Sequence, residues 1–162
     1  MCISDIDGKN EQILFTSKAP IMSPDWSPDR KKIAYVSFEN GLAEIFIQDL
    51  QSGERDSIQA LGMTNSAPVW SPDGKSLALV VSFSGNPDIF LYSINNKRLI
   101  RLTNHYGIDT EPSWSPDSKK IIFTSDRSGS PQLYEINTKS KRKKRLTRDG
   151  NYNARGRYFP CL

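Results

Sequence analysis

Short runs of alternating apolar and polar residues recur along this chain and are separated by turn-forming residues. Around Trp70 this pattern predicts four antiparallel strands with a polar loop at 83–87 between the second and the third. The predicted strands are residues 67–71, 76–82, 88–94 and 98–103. Pro72, Asp73 and Gly74 predict a tight turn after the first strand, because they supply a fixed φ, a carboxylate acceptor and a positive φ.

The same unit returns every 44 residues. The tetrapeptide Trp-Ser-Pro-Asp begins at Trp26, Trp70 and Trp114, and the apolar steps that follow it align at the same interval without a gap. A period of about 40–50 residues with a Trp-Asp mark is typical of propeller blades. The sequence therefore predicts an all-β fold, a β-propeller with four-stranded antiparallel blades.

The repeat divides the chain into three full 44-residue blades and two partial ones, so the predicted propeller is incomplete. The divisions are 1–19 (second half of a first blade), 20–63, 64–107, 108–151 and 152–162 (start of a further blade). The first piece predicts strands at 2–6 and 12–17, and the last a first strand near Tyr158. Since a propeller protects its edges by closing a ring, we expect an open arc or a strained pseudo-closed ring, of marginal stability and prone to disorder or aggregation.

The repeated signature favours structural roles. One large ring per unit predicts a wedge between neighbouring blades, and the aspartate that follows predicts a turn-former. The signature residues are Trp26, Asp29, Trp70, Asp73, Trp114 and Asp117. Arg30 and Ser118 stand where the second unit has Gly74, and a positive φ there costs a non-glycine residue about 1 kcal/mol.

Composition excludes several classes of protein. The 162 residues are 36% apolar with a net charge of +4, and the apolar runs are far shorter than the roughly 18 residues of a membrane span. The first residues lack a secretory signal, so we expect any export signal to lie upstream. Two cysteines, Cys2 and Cys161, do not define a disulfide framework, and we expect free thiols.

Motifs of catalysis are missing from the sequence. There is no Gly-x-Ser-x-Gly elbow, no glycine-rich phosphate loop and no cysteine or histidine spacing for zinc. The single histidine, His105, follows a fourth strand and is expected to be an ordinary surface residue. We therefore predict that the chain is not an enzyme and has no catalytic residues.

A basic run, residues 139–145, places six cations in seven positions. It falls on the predicted turn between a third and a fourth strand and contains no aromatic residue for base stacking. Lysine and arginine on an outermost strand also discourage edge-to-edge pairing. A solvated hairpin is therefore favoured, and nucleic-acid binding is the alternative.

Strand order indicates where a propeller of this kind binds. The link into each first strand reaches the central channel and emerges on the same face as the loop between second and third strands. On this chain those links contain Met22-Ser23-Pro24, Asn65-Ser66-Ala67, Asp109-Thr110-Glu111 and Asn153-Ala154-Arg155. Partner contacts are expected there.

Several non-repeated stretches resemble the β-propeller of the TolB family. They include Ser4-Asp5-Ile6-Asp7-Gly8, Pro20-Ile21-Met22-Ser23-Pro24, Lys32-Ile33-Ala34-Tyr35-Val36-Ser37, Asn65-Ser66-Ala67-Pro68, Thr110-Glu111-Pro112 and Phe123-Thr124-Ser125-Asp126. The resemblance covers nearly the whole chain. It implies a periplasmic, non-catalytic member of the Tol-Pal cell-envelope system, with a six-bladed propeller that binds the lipoprotein Pal and an upstream α/β domain whose N-terminus engages TolA.

The resemblance also implies which residues face Pal. The predicted partner-binding residues are Met22, Ser23, Thr64, Asn65, Ala67, Asp109, Thr110 and Glu111. Thr64 departs from the histidine that the family pattern has there. Glu111 is the favoured contact, because a carboxylate beside a channel accepts charge-assisted hydrogen bonds.

Two alternatives stay open at this level. Trp-Ser-Pro-Asp-Gly also occurs in Tricorn-type and prolyl-oligopeptidase propellers, so the chain could be the gating propeller of a peptidase whose catalytic domain lies downstream. No cofactor is predicted. Acidic residues near a channel can hold Ca²⁺, which takes six to eight oxygen ligands, but no ligand set can be counted in this sequence.

Overall fold

A computed structural model gives the fold of residues 1–58, 64–83 and 85–158. Regular secondary structure in these residues consists of β-strands. The described part of the chain contains no helix with the length and apolar character that a bilayer crossing requires.

Three four-stranded antiparallel sheets follow one another along the chain, each with its strands in sequence order. Blade I contains β3 (Ile21–Trp26), β4 (Lys32–Ser37), β5 (Glu44–Asp49) and β6 (Arg55–Ile58). Blade II contains β7 (Thr64–Trp70), β8 (Ser76–Phe83), β9 (Asn86–Ser93) and β10 (Arg98–Arg101). Blade III contains β11 (Asp109–Trp114), β12 (Lys120–Ser125), β13 (Gln132–Asn137) and β14 (Lys143–Arg145). A hairpin of β1 (Cys2–Ile3) and β2 (Gln12–Ile13) precedes them, and the predicted all-β propeller architecture is confirmed.

The terminal segments form less strand than the sequence predicts. The two strands of the first hairpin are two residues each, because the chain already turns at Asp5, whose amide donates to the Lys9 carbonyl at 2.9 Å. Residues 152–158 form no strand, although a first strand was expected near Tyr158. Residues 159–162, including Cys161, lie outside the described part, whereas Cys2 is a free, exposed thiol.

The loop predicted at 83–87 is shorter than expected. Phe83 is the last residue of β8 and pairs with Asn86, the first residue of β9. Gly85 has a φ of 85°, which allows this tight connection because glycine has no Cβ to clash. Ser84 lies outside the described residues.

The hydrophobic core lies between blades. One cluster joins Ile45 of blade I to Leu79 and Phe90 of blade II. A second joins Ile89 of blade II to Phe123 of blade III. Burial at about 25 cal/mol per Å² of apolar surface therefore stabilises pairs of blades more than single sheets.

The Trp-Ser-Pro-Asp turn closes with side-chain hydrogen bonds. In blade I the Asp29 carboxylate accepts the Ser27 hydroxyl at 2.6 Å and the Lys31 N–H at 3.0 Å. These bonds, the one from Ser27 above all, lower the pKa of Asp29. Asp73 and Asp117 accept the same two kinds of donor in the other blades.

The third position after the turn serine has a positive φ in all three blades. Gly74 has φ 69°, while Arg30 and Ser118 have φ 60° and 58°. The backbone hydrogen bond from Arg30 N–H to the Ser27 carbonyl, 2.8 Å long, holds this conformation. The turn therefore keeps its shape in blades I and III despite the cost to non-glycine residues.

The three signature tryptophans lie in different surroundings. Trp70 and Trp114 are only 6% and 8% exposed and pack between successive blades, as a wedge requires. The Trp114 indole also donates to the Val69 carbonyl of blade II at 3.0 Å. Trp26 is 37% exposed and does not fill such a wedge, because only the short β1–β2 hairpin precedes blade I among the described residues.

We predict opposite effects of glycine at two equivalent turn positions. Gly74→Ala should lower the free energy of unfolding by about 1 kcal/mol and Arg30→Gly should raise it by about 0.5 kcal/mol, since only glycine adopts positive φ without strain. A Cβ at Gly74 meets only Pro28 Cδ, at 3.8 Å, so the cost reports backbone conformation and not a clash. Urea unfolding followed by tryptophan fluorescence measures both. An unchanged midpoint for Gly74→Ala would contradict the prediction.

A second prediction compares two signature tryptophans. Trp114→Phe should cost about 2 kcal/mol through lost packing and the lost hydrogen bond to Val69. The matched Trp26→Phe change should cost less than about 0.5 kcal/mol, because this ring is partly exposed. Thermal unfolding of the two variants tests the difference, and equal losses would show that Trp114 is not a wedge between blades.

Candidate binding surface at the channel mouth

The first strand of every blade carries a bulge at the same repeat position. Ser23, Ala67 and Glu111 have φ values of 50°, 48° and 55°, and the strand register shifts beside each of them. Arg155, one repeat later, has φ 54°. Non-glycine residues in this conformation store strain, and such strain clusters at functional sites.

Proline follows the bulged residue in each full blade, as Pro24, Pro68 and Pro112. It lacks an N–H and therefore cannot complete a sheet ladder, so it is confined to edge strands and bulges. First strands are edge strands of their sheets, and their bulged residues line a common cavity. The local sequence thus interrupts the strand pairing at the bulge, and the pairing resumes one residue after the proline.

The three bulged residues and Arg155 line one cavity of about 350 Å³. Its wall repeats the same three positions from successive units: 23–25, 67–69, 111–113 and 155–157. The predicted channel loops are therefore brought together at one place, which we call the channel mouth.

Glu111 already has partners within the chain. Its carboxylate accepts the Thr124 hydroxyl at 2.8 Å, the Arg155 backbone N–H at 3.1 Å and the Arg155 Nε at 3.0 Å. Although burial raises the pKa of Glu111, the hydrogen bonds from Thr124 and Arg155 outweigh it and leave that pKa lowered. The side chain of Arg155 is 85% exposed and that of Glu111 32%. The group presented to solvent is therefore the guanidinium, and Glu111 orients it.

Two predicted contact residues point into the protein. Asn65 is 3% exposed and donates to the Ala43 carbonyl of blade I at 2.9 Å. Asp109 is fully buried, and both of its carboxylate oxygens accept from the Arg127 Nη2 group, at 2.6 and 2.8 Å. Both side chains hold the ends of first strands in place and are not available to a partner.

The remaining predicted residues lie at or near the surface. Met22 is 54% exposed, Ser23 and Thr64 are also exposed, and Ala67 and Thr110 are half-buried. Thr64 pairs with Ala43 in an isolated parallel bridge, so it lies at the junction of blades I and II. These positions surround the cavity but do not all enter it.

Sequence reasoning missed Asp25, which lies in the cavity wall. Its carboxylate accepts the Trp70 N–H at 2.6 Å across the blade boundary. Burial raises its pKa, and the positive charge of Arg157 partly opposes this. One signal in the sequence pointed to Asp25. It is an aspartate at a repeat position where the next two units have Val69 and Ser113.

Groups suited to chemistry do not converge in the described structure. His105 is exposed, and its Nδ1 accepts the Gly107 N–H at 2.9 Å within its own loop. Among the described residues no three histidine, cysteine or acidic side chains come close enough to hold a metal ion. The expectation that the chain needs no cofactor, with Ca²⁺ in the channel as an unassigned alternative, stays a prediction.

The sheets and their central cavity define a segment of a β-propeller. A prolyl endopeptidase structure shares this fold with a TM-score of 0.71 and 18% identity over 89% of this chain and 25% of that one. Identity at this level shows the fold alone.

The family model of the TolB beta propeller domain matches residues 1–161 of this chain. The chain therefore belongs to that family. The crystal structure of TolB from Acinetobacter baumannii is 46% identical with a TM-score of 0.84, covering 96% of this chain and 39% of that one. The Tol-Pal system protein TolB of Alkalilimnicola ehrlichii is 48% identical over 67 residues, 41% of this chain and 16% of that protein. The chain thus spans about two-fifths of the A. baumannii TolB chain, and the resemblance identified from sequence is confirmed.

The lowered pKa of Glu111 predicts a pH-dependent contribution to stability. A carboxyl group whose pKa is lowered in the folded state stabilises the fold at pH values above its ordinary pKa of 4.5. This contribution is lost as the pH falls. The difference in unfolding free energy between wild type and Glu111→Gln should therefore shrink from about pH 6 to about pH 3. Urea titrations across this range measure it, and a constant difference would show that the contacts to Thr124 and Arg155 do not favour the ionised form.

Proposed function

We propose that this chain is a non-catalytic, protein-binding propeller segment of the Tol-Pal cell-envelope system, and that its channel mouth binds a Pal-type lipoprotein. The relatives named above support the system. The observation that carries the proposal is the repeated bulge, which places four strained residues around one cavity with an exposed guanidinium at its rim.

In this proposal some residues of the channel mouth contact the partner, and others hold those residues in position. Ser23, Ala67 and Arg155 line the cavity and contact the partner directly, while Met22 and Thr64 extend the surface around it. Glu111 positions Arg155 before the partner binds. Because the guanidinium is already ordered, it loses less conformational entropy on binding. Thr110 lines a smaller neighbouring cavity that shares Glu111 with the channel mouth.

Arg155 is the natural anchor for the lipoprotein. An arginine side chain presents several donors in a planar fork that matches a carboxylate or paired carbonyl oxygens. A cavity of about 350 Å³ holds a side chain or the tip of a loop, not a whole domain. We therefore propose that a loop of the lipoprotein, carrying an acceptor group, enters the channel mouth.

The same proposal covers the compartment of the protein and its contact with TolA. The protein acts in the periplasm, and TolA engages the N-terminal region that precedes the propeller in the TolB family, not the propeller itself. The surface at the channel mouth performs recognition and no bond-making step. A peptidase gating role has weaker support, because the likeness to prolyl endopeptidase is one of fold at 18% identity.

Binding of the soluble domain of Pal tests the anchor. Arg155→Ala should weaken binding to the chain about tenfold, the loss expected for one charge-assisted contact. Arg148→Ala is the matched control, because Arg148 is also exposed but does not line the cavity. Isothermal titration calorimetry on both variants gives the comparison. No binding by wild type, or equal losses in the two variants, would contradict the proposal.

A further inference from the structure

The hairpin between β13 and β14 of blade III carries the strongest local charge of the chain. Its six cations are Lys139, Lys141, Arg142, Lys143, Lys144 and Arg145. Five of them are exposed and Arg145 is half-buried. None forms an ion pair with an acidic residue of the described structure, and Glu135, which lies opposite Lys144 in the strand pairing, balances this positive charge only in part.

The other blades show that the fold does not need this charge. The equivalent turn residues Gly53, Lys97 and Lys141 have positive φ values of 76°, 52° and 55°, so the three hairpins share one turn geometry. In blade I the hairpin carries mixed charges, and Arg55 pairs with Glu39 at 2.7 Å. The outer strand of blade I is also an edge strand, so edge protection alone does not explain six cations in blade III.

The cationic hairpin points away from the channel mouth. In every blade a backbone hydrogen bond joins the turn between first and second strands to the hairpin between third and fourth strands. In blade III the Thr138 N–H donates to the Lys119 carbonyl at 3.0 Å. Both turns therefore lie at the end of the blade opposite the bulge at Glu111. Lys119 of the first turn pairs with Asp117 at 3.9 Å, so the net positive charge of this corner comes from the hairpin.

We propose that this corner of blade III, which we call the basic corner, binds the surface of an anionic lipid bilayer. Its cations lie on a projecting hairpin that can approach a flat surface, and each lysine or arginine near anionic headgroups strengthens binding about fivefold. Residues 138–148 contain no aromatic side chain on which a nucleic-acid base could stack. Docked in this way, the propeller holds its channel mouth away from the bilayer and open to a protein partner.

Flotation with lipid vesicles tests the basic corner, because aggregated protein sinks while bound protein rises. The full chain should float with vesicles containing phosphatidylglycerol and not with vesicles of phosphatidylcholine alone. Lys139→Gln with Arg142→Gln should lower the partition coefficient roughly 25-fold. Lys18→Gln with Arg148→Gln removes the same charge from exposed residues outside the hairpin and should lower it much less.

The outcomes separate location from overall charge and lipid from nucleic acid. Equal losses in the two double variants would overturn the assignment to the basic corner, and equal flotation with both kinds of vesicle would overturn the electrostatic account. Tighter binding to duplex DNA than to anionic vesicles at the same salt concentration would overturn the lipid assignment. The test involves no lipoprotein, so its result is independent of the proposed function.

Discussion

Packing between successive blades is the constraint on which the rest of this structure depends. A four-stranded sheet has two faces, and a single blade cannot cover both. Tyr35 and Leu79 are fully buried only because an element from outside their own blade lies against them. Trp114 shows the same dependence, since its ring and its indole N–H both contact blade II. Each blade is therefore stable to the extent that its neighbour is present.

The sequence predicted local features well and long-range contacts poorly. The shape of the turn around Asp73 was predictable because the hydrogen bonds that close it join residues within five positions of each other. The bond from the Asp73 N–H to the Ser118 hydroxyl, 3.1 Å long, spans 45 positions and was not predictable. Trp26 is more exposed than Trp114 because a short hairpin, and not a full blade, precedes blade I among the described residues. A repeat motif does not encode which element precedes each copy. The pairing of Glu111 with Arg155 joins residues 44 positions apart and required knowledge of where each side chain points.

The candidate site shows what a repeat fold can and cannot indicate. Strand order located the channel mouth, and the structure brings its loops together around one cavity. Strand order did not distinguish Asn65 and Asp109, whose side chains are buried, from Ser23 and Arg155, which are exposed. The repeated bulge supplies a common backbone, and the side chains that differ between its copies give this surface its particular chemistry.

Hydrogen exchange on the chain with and without the soluble domain of Pal tests the central claim most directly. If the channel mouth is the binding surface, protection should appear in the first strands around residues 23–25, 67–69 and 111–113 and in residues 155–157, with the hairpin at 138–142 unchanged. Protection confined to the outer strands, or no change at saturating Pal, would contradict the account.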